Sequence, residues 1–203
     1  IIDFDKYRNA KIDLKQPDNI LLREKHGISD KTKVILVVGE VCYRKGSDLL
    51  PKIVSNVTGN YLILVIGTGD LLENLSKNNA LKDSNKIIFL GQLPQDETIK
   101  YFGLADVFLH LARQDPSPLV CIEAVTAGLV MAVSNSTGNS PEVVNSNGII
   151  LDLNSLKSLY KSLSQLILMS ECEIKKLSNA SSRLAERKFN HSKIIRRLFK
   201  ELT

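Results

Sequence analysis

Six short apolar runs recur between residues 33 and 153, and helical patterns separate most of them. Their sequences are KVILVVG (33–39), YLILVIG (61–67), KIIFLG (86–91), DVFLHL (106–111), LVMAVSN (129–135) and GIILDL (148–153). Continuous apolarity, in place of alternation, is typical of strands that are covered on both faces, as in a parallel sheet. Helices are expected near 47–56, 70–78, 95–103 and 118–127. This alternation predicts an α/β fold, a Rossmann-like doubly wound parallel sheet with right-handed crossovers.

The two ends of the chain read differently from the middle. Residues 1–32 are polar and mostly irregular, with one expected helix at 18–26, whereas residues after 153 read as helices only, at 154–169, 172–188 and 192–202. The last of these is amphipathic, with an apolar stripe opposite a basic face. Such a helix packs on its own domain or a neighbouring one, or lies on an anionic membrane surface. We therefore divide the chain into a lead-in (1–32), a Rossmann-like domain (33–190) and a C-terminal amphipathic helix (191–203).

Composition and charge narrow the class of protein. A content of 43% hydrophobic and 24% charged residues is ordinary for a globular protein, and the apolar runs are far shorter than the ~20 residues of a membrane span. Residues 183–203 hold seven basic and two acidic side chains, which equals the net charge of +5 of the whole chain. With 5% aromatic residues and no Trp, we expect no nucleic-acid partner.

The chain opens with Ile-Ile in place of Met and lacks a signal-peptide pattern, so we expect a piece of a longer cytoplasmic protein. Its three cysteines, at 42, 121 and 172, are scattered and form no CxxC pair. Cys42 and Cys121 lie in or beside apolar segments, which favours buried reduced thiols over disulfides or metal ligands.

The segment RQDPSPLVCIEAVTAG (113–128) predicts an abrupt helix start. Ser117 is a good N-cap, and Pro118 suits the first helical position. The amides of Leu119 and Val120 then point out of a helix end that carries partial positive charge, which is an anion site. Because the segment follows the fourth strand, it lies on the edge where doubly wound sheets bind ligands.

Two acids flank this helix start. Glu123 lies one turn beyond Leu119, so its carboxylate would sit about 6 Å from a bound phosphate and could accept hydrogen bonds from a sugar. Asp115 lies just before the two prolines. The alternative is that Asp115 helps to cap the helix and Glu123 points to solvent.

Other strand ends carry further candidates. Arg44 and Lys45 precede Gly46 after the first strand, where two cations could hold a pyrophosphate, or form a solvated basic turn. GTGDLLEN (67–74) has Leu72 where a dinucleotide fingerprint needs a third glycine, so no nicotinamide site is expected. The histidines at 26, 110 and 191 show no metal-ligand spacing. His110 ends the fourth strand five residues before Asp115, either as a core histidine or as a site residue.

Taken in order, five segments resemble the motifs of glycosyltransferase family 4. They are GEVCYRKGSDLL, VIGTGDLLENL, FLGQL, ADVFLHLARQDPSPLVCIEAVTAG and STGNSPEVV. That family contains retaining enzymes of the GT-B fold, and residues 33–203 resemble its C-terminal, nucleotide-sugar-binding half. The most specific element is a pair of acids separated by seven residues, which Asp115 and Glu123 supply. Glu40 and Ala112 depart from the pattern, because an arginine and a serine are frequent there; Arg44 could supply the missing cation.

The resemblance implies a role for each matching residue. Asp115 would meet the hydroxyls of the donor sugar, and Glu123 those of the ribose. Lys45 and Arg44 would stabilise the charge of the leaving nucleotide, which makes these two and Asp115 the expected catalytic residues. The remaining donor-pocket residues would be the pyrophosphate-binding helix start, the residues beside the base and the loop glycines. These are Ser117, Pro118, Leu119 and Val120, then Gln92 and Leu93, then Gly67 and Gly138.

The resemblance thus implies the donor-binding domain of a retaining glycosyltransferase, metal-independent and without a cofactor, of the kind used in cell-surface polysaccharide biosynthesis. The donor would be a UDP-, GDP- or ADP-linked sugar, and a glycan, lipid or other acceptor would bind an N-terminal domain outside this chain. The fragment alone would be inactive. The competing hypothesis is a non-catalytic Rossmann-like nucleotide-binding or interaction domain. We expect a cytoplasmic location, with peripheral membrane association as a second interpretation of the basic helix.

Overall fold

A computed structural model of the protein describes residues 2–10, 17–191, 193–195 and 199, and in it six strands form one fully parallel sheet. The strands are β1 (Lys33–Val38), β2 (Tyr61–Ile66), β3 (Ile87–Gly91), β4 (Val107–His110), β5 (Val130–Ser134) and β6 (Gly148–Leu151). They lie in the order β3-β2-β1-β4-β5-β6, and every neighbouring pair is parallel. Each predicted strand is found, shorter by one or two residues. The predicted α/β, Rossmann-like fold is therefore confirmed.

Helices cover both faces of the sheet. They are α1 (Phe4–Ala10), α2 (Pro17–Lys25), a 3-10 turn (Ser47–Leu49) leading into α3 (Leu50–Asn56), α4 (Leu72–Ser76), α5 (Asn79–Lys82), α6 (Gln95–Leu104), α7 (Leu119–Thr126), α8 (Ser140–Val143), α9 (Leu156–Ile167) and α10 (Glu171–Lys188). The helix predicted near 70–78 is found as the shorter α4, and a second helix that was not predicted, α5, follows it; its cap Asn78 accepts from the amide of Leu81. The helix predicted at 192–202 falls largely outside the described residues.

Alternate residues of each strand enter two separate cores, which explains the continuous apolar runs. Leu36 of β1 packs on the face covered by α1, α6 and α7, together with Phe102 and Phe108. Its neighbour Ile35 packs on the opposite face, under α3 and α9, together with Leu109. Because successive side chains of a strand point to opposite faces, burial of both faces requires an apolar residue at nearly every position.

The lead-in is more ordered than the sequence predicted. Residues 1–32 were expected to be mostly irregular, but they contain α1 as well as α2. Tyr7 of α1 is buried, and its ring lies edge-on to that of Phe102 with 5.2 Å between the centroids. The His26 imidazole after α2 lies 3.1 Å from the Tyr101 hydroxyl. The described lead-in residues therefore pack on the same core as the sheet, whereas the domain boundary drawn at residue 32 stays a prediction.

Two smaller expectations concern thiols and membranes. Cys42 and Cys121 are buried free thiols, as predicted, and Cys172 is an exposed one. Within the part of the chain that the structure describes, no helix combines the length and apolarity needed to cross a bilayer.

Candidate functional site

The strand order reverses between β1 and β4, which lie side by side in the sheet. In open parallel sheets, a crevice forms outside the carboxyl ends of the strands at such a switch point, and ligands bind there. Two loops border it, residues 39–46 after β1 and residues 111–118 after β4. The first carries Arg44 and Lys45, and the second carries Asp115 and the start of α7. The structure thus brings together two sets of residues that are 70 positions apart in the chain.

Lys45 and Asp115 form a largely buried ion pair at this crevice. The Lys45 Nζ donates to Asp115 Oδ2, and the two side chains are 19% and 10% exposed. The same carboxylate oxygen lies 3.1 Å from Nε2 of the buried His110. Burial, with the Lys45 charge as the second cause, lowers the pKa of His110 to about 4, so the imidazole is neutral at pH 7. The Lys45–Asp115 pair is therefore linked to a neutral ring.

The start of α7 lies one residue later than the sequence predicted. Pro118 is the N-cap and not the first helical residue, and Ser117 is not the cap, since the helix begins at Leu119 without any side-chain capping bond. The ψ angle of 117° keeps Pro118 extended, and its carbonyl accepts from the amide of Cys121 at 3.1 Å, as an N-cap carbonyl does. The amides of Leu119 and Val120 have no acceptor inside the helix. The geometric basis for an anion site at this helix end therefore stands.

The loop after β5 closes one side of the crevice. Thr137 pairs with Asp115 in an isolated parallel bridge, and the Gly138 amide donates to the Asp115 carbonyl at 2.9 Å. A Cβ atom at Gly138 would lie 2.0 Å from the Pro116 carbonyl oxygen, so only glycine fits at that position. Asn139 donates to the Pro118 carbonyl at 3.2 Å, which ties the loop to the start of α7.

Arg44 reaches from the first loop to the second. Its Nη2 donates to Glu40 Oε2 at 2.9 Å, and its Nη1 donates to the Gln114 carbonyl at 3.3 Å. Glu40, one of the two departures from the family pattern, is thus the ion-pair partner of Arg44, the cation that could replace the missing arginine. Both side chains are about half exposed, and exposed pairs of this kind contribute little to stability. Arg44 could therefore exchange Glu40 for a phosphate at small cost.

Arg113 clamps the two loops together, a contact that no sequence pattern predicted. Its guanidinium donates to both carboxylate oxygens of Asp48, at 2.6 and 2.8 Å, and to the Tyr43 carbonyl at 2.7 Å. It also lies 3.9 Å above the centre of the Tyr43 ring. The Arg113 amide donates to the Arg44 carbonyl at 2.9 Å. The residues that Arg113 contacts flank Lys45 in the sequence, so these contacts fix the loop that carries Lys45.

A cleft of about 500 Å³ extends from this crevice along the carboxyl ends of β1, β2 and β3. It is lined by the predicted residues Gly67, Gln92 and Leu93, and also by Glu40. Gly67 has a φ of +139°, and a Cβ atom there would lie 1.9 Å from the Gly39 carbonyl oxygen. The loops after β1 and β2 therefore approach each other closely at the cleft, and this approach requires glycine at position 67.

Glu123 is half-buried and not directed freely into solvent, in contrast to the alternative considered for it. Burial raises the pKa of its carboxyl group, and a hydrogen bond from the Tyr7 hydroxyl partly opposes that change. Burial also raises the pKa of Tyr7 to about 12, so this tyrosine is neutral and can donate. The contact joins α7 to α1, and the sequence did not predict it, because α1 itself was missed. The ribose-binding role of Glu123 stays a prediction.

An open parallel sheet with cationic loops and a helix start at its switch point has the arrangement at which doubly wound α/β domains bind ligands. A sequence model of the family described as Glycosyl transferases group 1 matches residues 18–186, and the chain belongs to this family. A curated relative, the Uncharacterized glycosyltransferase MJ1607 of Methanocaldococcus jannaschii, is 33% identical over 140 residues, which is 66% of this chain and 35% of that protein. The chain thus spans about a third of that relative's length.

Two solved structures illustrate the shared fold. The crystal structure of WaaG, a glycosyltransferase involved in lipopolysaccharide biosynthesis, superposes with a TM-score of 0.76 at 20% identity, over 91% of this chain and 51% of that one. Anabaena Alr3699/HepE, solved in complex with UDP, superposes with a TM-score of 0.75 at 17% identity, over 99% of this chain and 55% of that one. At these identities the likeness shows the fold alone. It confirms the GT-B relationship that the motif order implied.

Proposed function

We propose that this chain is the donor-binding part of a retaining glycosyltransferase, and that its donor is a nucleoside-diphosphate sugar. The observation that supports this most is the meeting of Lys45, Asp115 and the start of α7 at the switch point of the sheet. A cation and free helix amides suit a diphosphate, and a carboxylate beside them suits sugar hydroxyls. Membership of a glycosyltransferase family makes transfer a stronger hypothesis than simple nucleotide binding.

In this proposal the protein assists the departure of the nucleotide. As the bond between the sugar and the diphosphate breaks, negative charge develops on the phosphate that leaves. Lys45, the α7 amides and Arg44 would lie beside that charge, and preorganised donors of this kind stabilise a transition state most effectively. We propose that these groups act without a divalent metal.

Lys45 must serve both Asp115 and the donor. An ammonium group has three donor hydrogens, so Lys45 can keep its bond to Asp115 while it binds a phosphate oxygen. The bonds from Lys45 and His110 both use Oδ2 of Asp115. We propose that Oδ1 accepts from a hydroxyl of the donor sugar.

The rest of the donor would extend along the cleft. Gln92 and Leu93 line it at the end of β3, where we place the base. HepE is a structural neighbour solved with UDP, so UDP is the first nucleotide to test, with GDP and ADP beside it. Glu123 would accept from the ribose hydroxyls, and Gly138 would close the pocket at the side of α7.

Acceptor binding would lie outside this chain. Holding two reactants in line supplies about 7–11 kcal/mol of a barrier, so a domain that binds only the donor should transfer sugar slower by many orders of magnitude. We therefore expect donor binding without transfer by this chain, and transfer with retention in a protein that combines it with an acceptor-binding domain. Robust transfer by residues 1–203 alone would contradict this division of labour.

Calorimetry in the presence of a chelator tests the proposal. UDP, GDP and ADP are titrated into the wild type, the Lys45→Ala variant and a Lys52→Ala control, which removes an exposed lysine from α3. Loss of a charge-assisted bond costs about 1.5–3 kcal/mol, so Lys45→Ala should bind the preferred nucleotide roughly ten- to a hundredfold more weakly. The control should match the wild type. No binding of any of the three at millimolar concentration would contradict the proposal.

A further inference from the structure

We infer that His110 is a positioning residue that orients the Asp115 carboxylate toward the donor sugar; this rests on the proposed function. His110 occupies the last position of β4, where its backbone pairs in register with Val133 of β5. Its side chain is 5% exposed, and its Nε2 lies 3.1 Å from Asp115 Oδ2. The residue is thus held by the sheet on one side and reaches the site on the other.

The direction of this hydrogen bond follows from the charges. Asp115 pairs with Lys45, and an ionised carboxylate accepts but cannot donate. The bond therefore requires a hydrogen on Nε2 of His110. A neutral imidazole carries only one hydrogen, so the ring must be the Nε2–H tautomer. His110 consequently contributes a fixed donor without adding a charge to the site.

Packing alone does not account for a histidine at this position. The ring of His110 is stacked on that of Phe108 with 6.1 Å between centroids and 14° between planes, and Phe108 belongs to the buried apolar core on that face of the sheet. An apolar side chain would satisfy such surroundings at least as well, because burying a polar ring costs free energy unless it is hydrogen-bonded. The contact with Asp115 is what repays that cost.

Two donors on one oxygen set the plane of the carboxylate. The flexible Lys45 chain alone could follow Asp115 through several rotamers, whereas the ring of His110 is immobilised by its burial and by Phe108. With Oδ2 fixed from both sides, Oδ1 has one direction, and a sugar hydroxyl would meet a prepared acceptor. Loss of His110 should therefore weaken recognition of the sugar and leave recognition of the diphosphate intact.

Calorimetry with paired ligands tests the consequence. The preferred nucleoside diphosphate and its sugar conjugate are titrated into the wild type, His110→Leu, His110→Gln and Asp115→Asn. His110→Leu should weaken binding of the sugar conjugate about tenfold and change binding of the diphosphate less than about threefold, since one hydrogen bond to the sugar is affected. His110→Gln, whose amide can still donate, should recover much of the loss. Added to Asp115→Asn, His110→Leu should have no further effect on the sugar.

Equal weakening of both ligands by His110→Leu, or His110→Gln no better than His110→Leu, would overturn the inference and leave the proposed function standing. If the wild type binds neither ligand, the proposed function fails, and NMR of the free protein still tests the hydrogen bond between His110 and Asp115. Nitrogen NMR of the free protein should show the Nε2–H tautomer of His110 at neutral pH, and Asp115→Asn should perturb that signal. An Nδ1–H tautomer in the wild type would overturn the inference without reference to any ligand or to the folding of the His110 variants.

Discussion

Replacing Tyr7 by phenylalanine removes the bond between α1 and Glu123 and measures its contribution to stability. The ring of Tyr7 is 2% exposed and packs against Phe102, and Phe preserves that packing while it removes the hydroxyl. Glu123 then loses a donor in half-buried surroundings. Hydrogen bonds to charged groups contribute about 1.5–3 kcal/mol, and because water reaches part of Glu123 we expect a loss of roughly 1–2 kcal/mol at neutral pH. In a domain of this size that corresponds to a fall in Tm of about 2–8 °C.

The loss should depend on pH, and its sign follows from the pKa of Glu123. Burial raises that pKa above its ordinary value of 4.5, so the folded protein binds this proton more tightly than the unfolded chain. Stability due to Glu123 is therefore lost as pH rises from the unfolded pKa through the raised folded pKa. The Tyr7 bond limits the rise in pKa, so Tyr7→Phe should widen this window and lose more stability toward neutral pH. Tyr7 itself, with a pKa of about 12, does not titrate there.

Urea unfolding at about pH 4 and about pH 7.5 measures this difference, because the carboxylate form of Glu123 gains population between the two and its raised pKa places that change above the ordinary value. Tyr7→Phe should cost about 1 kcal/mol more at the higher pH, because the bond to a neutral carboxyl contributes less than the bond to a carboxylate. Tyr160→Phe is the matched control, since Tyr160 is half-buried and its hydroxyl makes no hydrogen bond within the described residues. On a Glu123→Gln background the pH dependence should vanish. An equal loss at both pH values would refute the reasoning.

Three further predictions concern the site and its supports. Ser117→Ala should change the free energy of unfolding by less than about 0.5 kcal/mol, because Ser117 does not cap α7; a loss of about 1 kcal/mol would restore it as the cap. Asp48→Asn and Arg113→Lys should each weaken nucleotide binding and lower stability by roughly 1–2 kcal/mol, and a double-mutant cycle should show coupling between them; additive effects would refute the clamp. Because the pKa of His110 is lowered from 6.5 to about 4, stability should fall by roughly 2–3 kcal/mol as pH drops through that window. His110→Gln should abolish this pH-dependent loss, and an unchanged pH profile in the variant would contradict the burial of a neutral imidazole.

The sheet could be predicted because strands that are buried on both faces are apolar at nearly every position of the sequence. All six residues of β2 are buried, and the run YLILVIG shows this directly. In the segment of α1, FDKYRNA, only Tyr7 is fully buried and Phe4 is partly buried, so its pattern carries little helical signal. Its structure depends on the contact with Phe102, about which the local sequence carries no information.

Individual residues of the site could be predicted from the sequence, whereas the contacts between them could not. Lys45 and Asp115 follow from strand ends and the motif order, and the topology brings such ends to one edge. Asp48 and Arg113 are 65 residues apart, and no spacing rule links them. The start of α7 was misplaced by one residue because a proline's fixed φ suits both the N-cap and the first helical position, and only ψ distinguishes them.

The central claim is that Lys45 and the start of α7 receive a diphosphate. The most direct measurement compares the affinities of one nucleoside, its monophosphate and its diphosphate for the wild type, in chelator and at fixed ionic strength. Each charge-assisted bond gained should contribute about 1.5–3 kcal/mol, so the diphosphate should bind at least about tenfold more tightly than the nucleoside, and Lys45→Ala should remove most of that difference. Equal affinity for nucleoside and diphosphate, or a difference that Lys45→Ala leaves intact, would contradict the account.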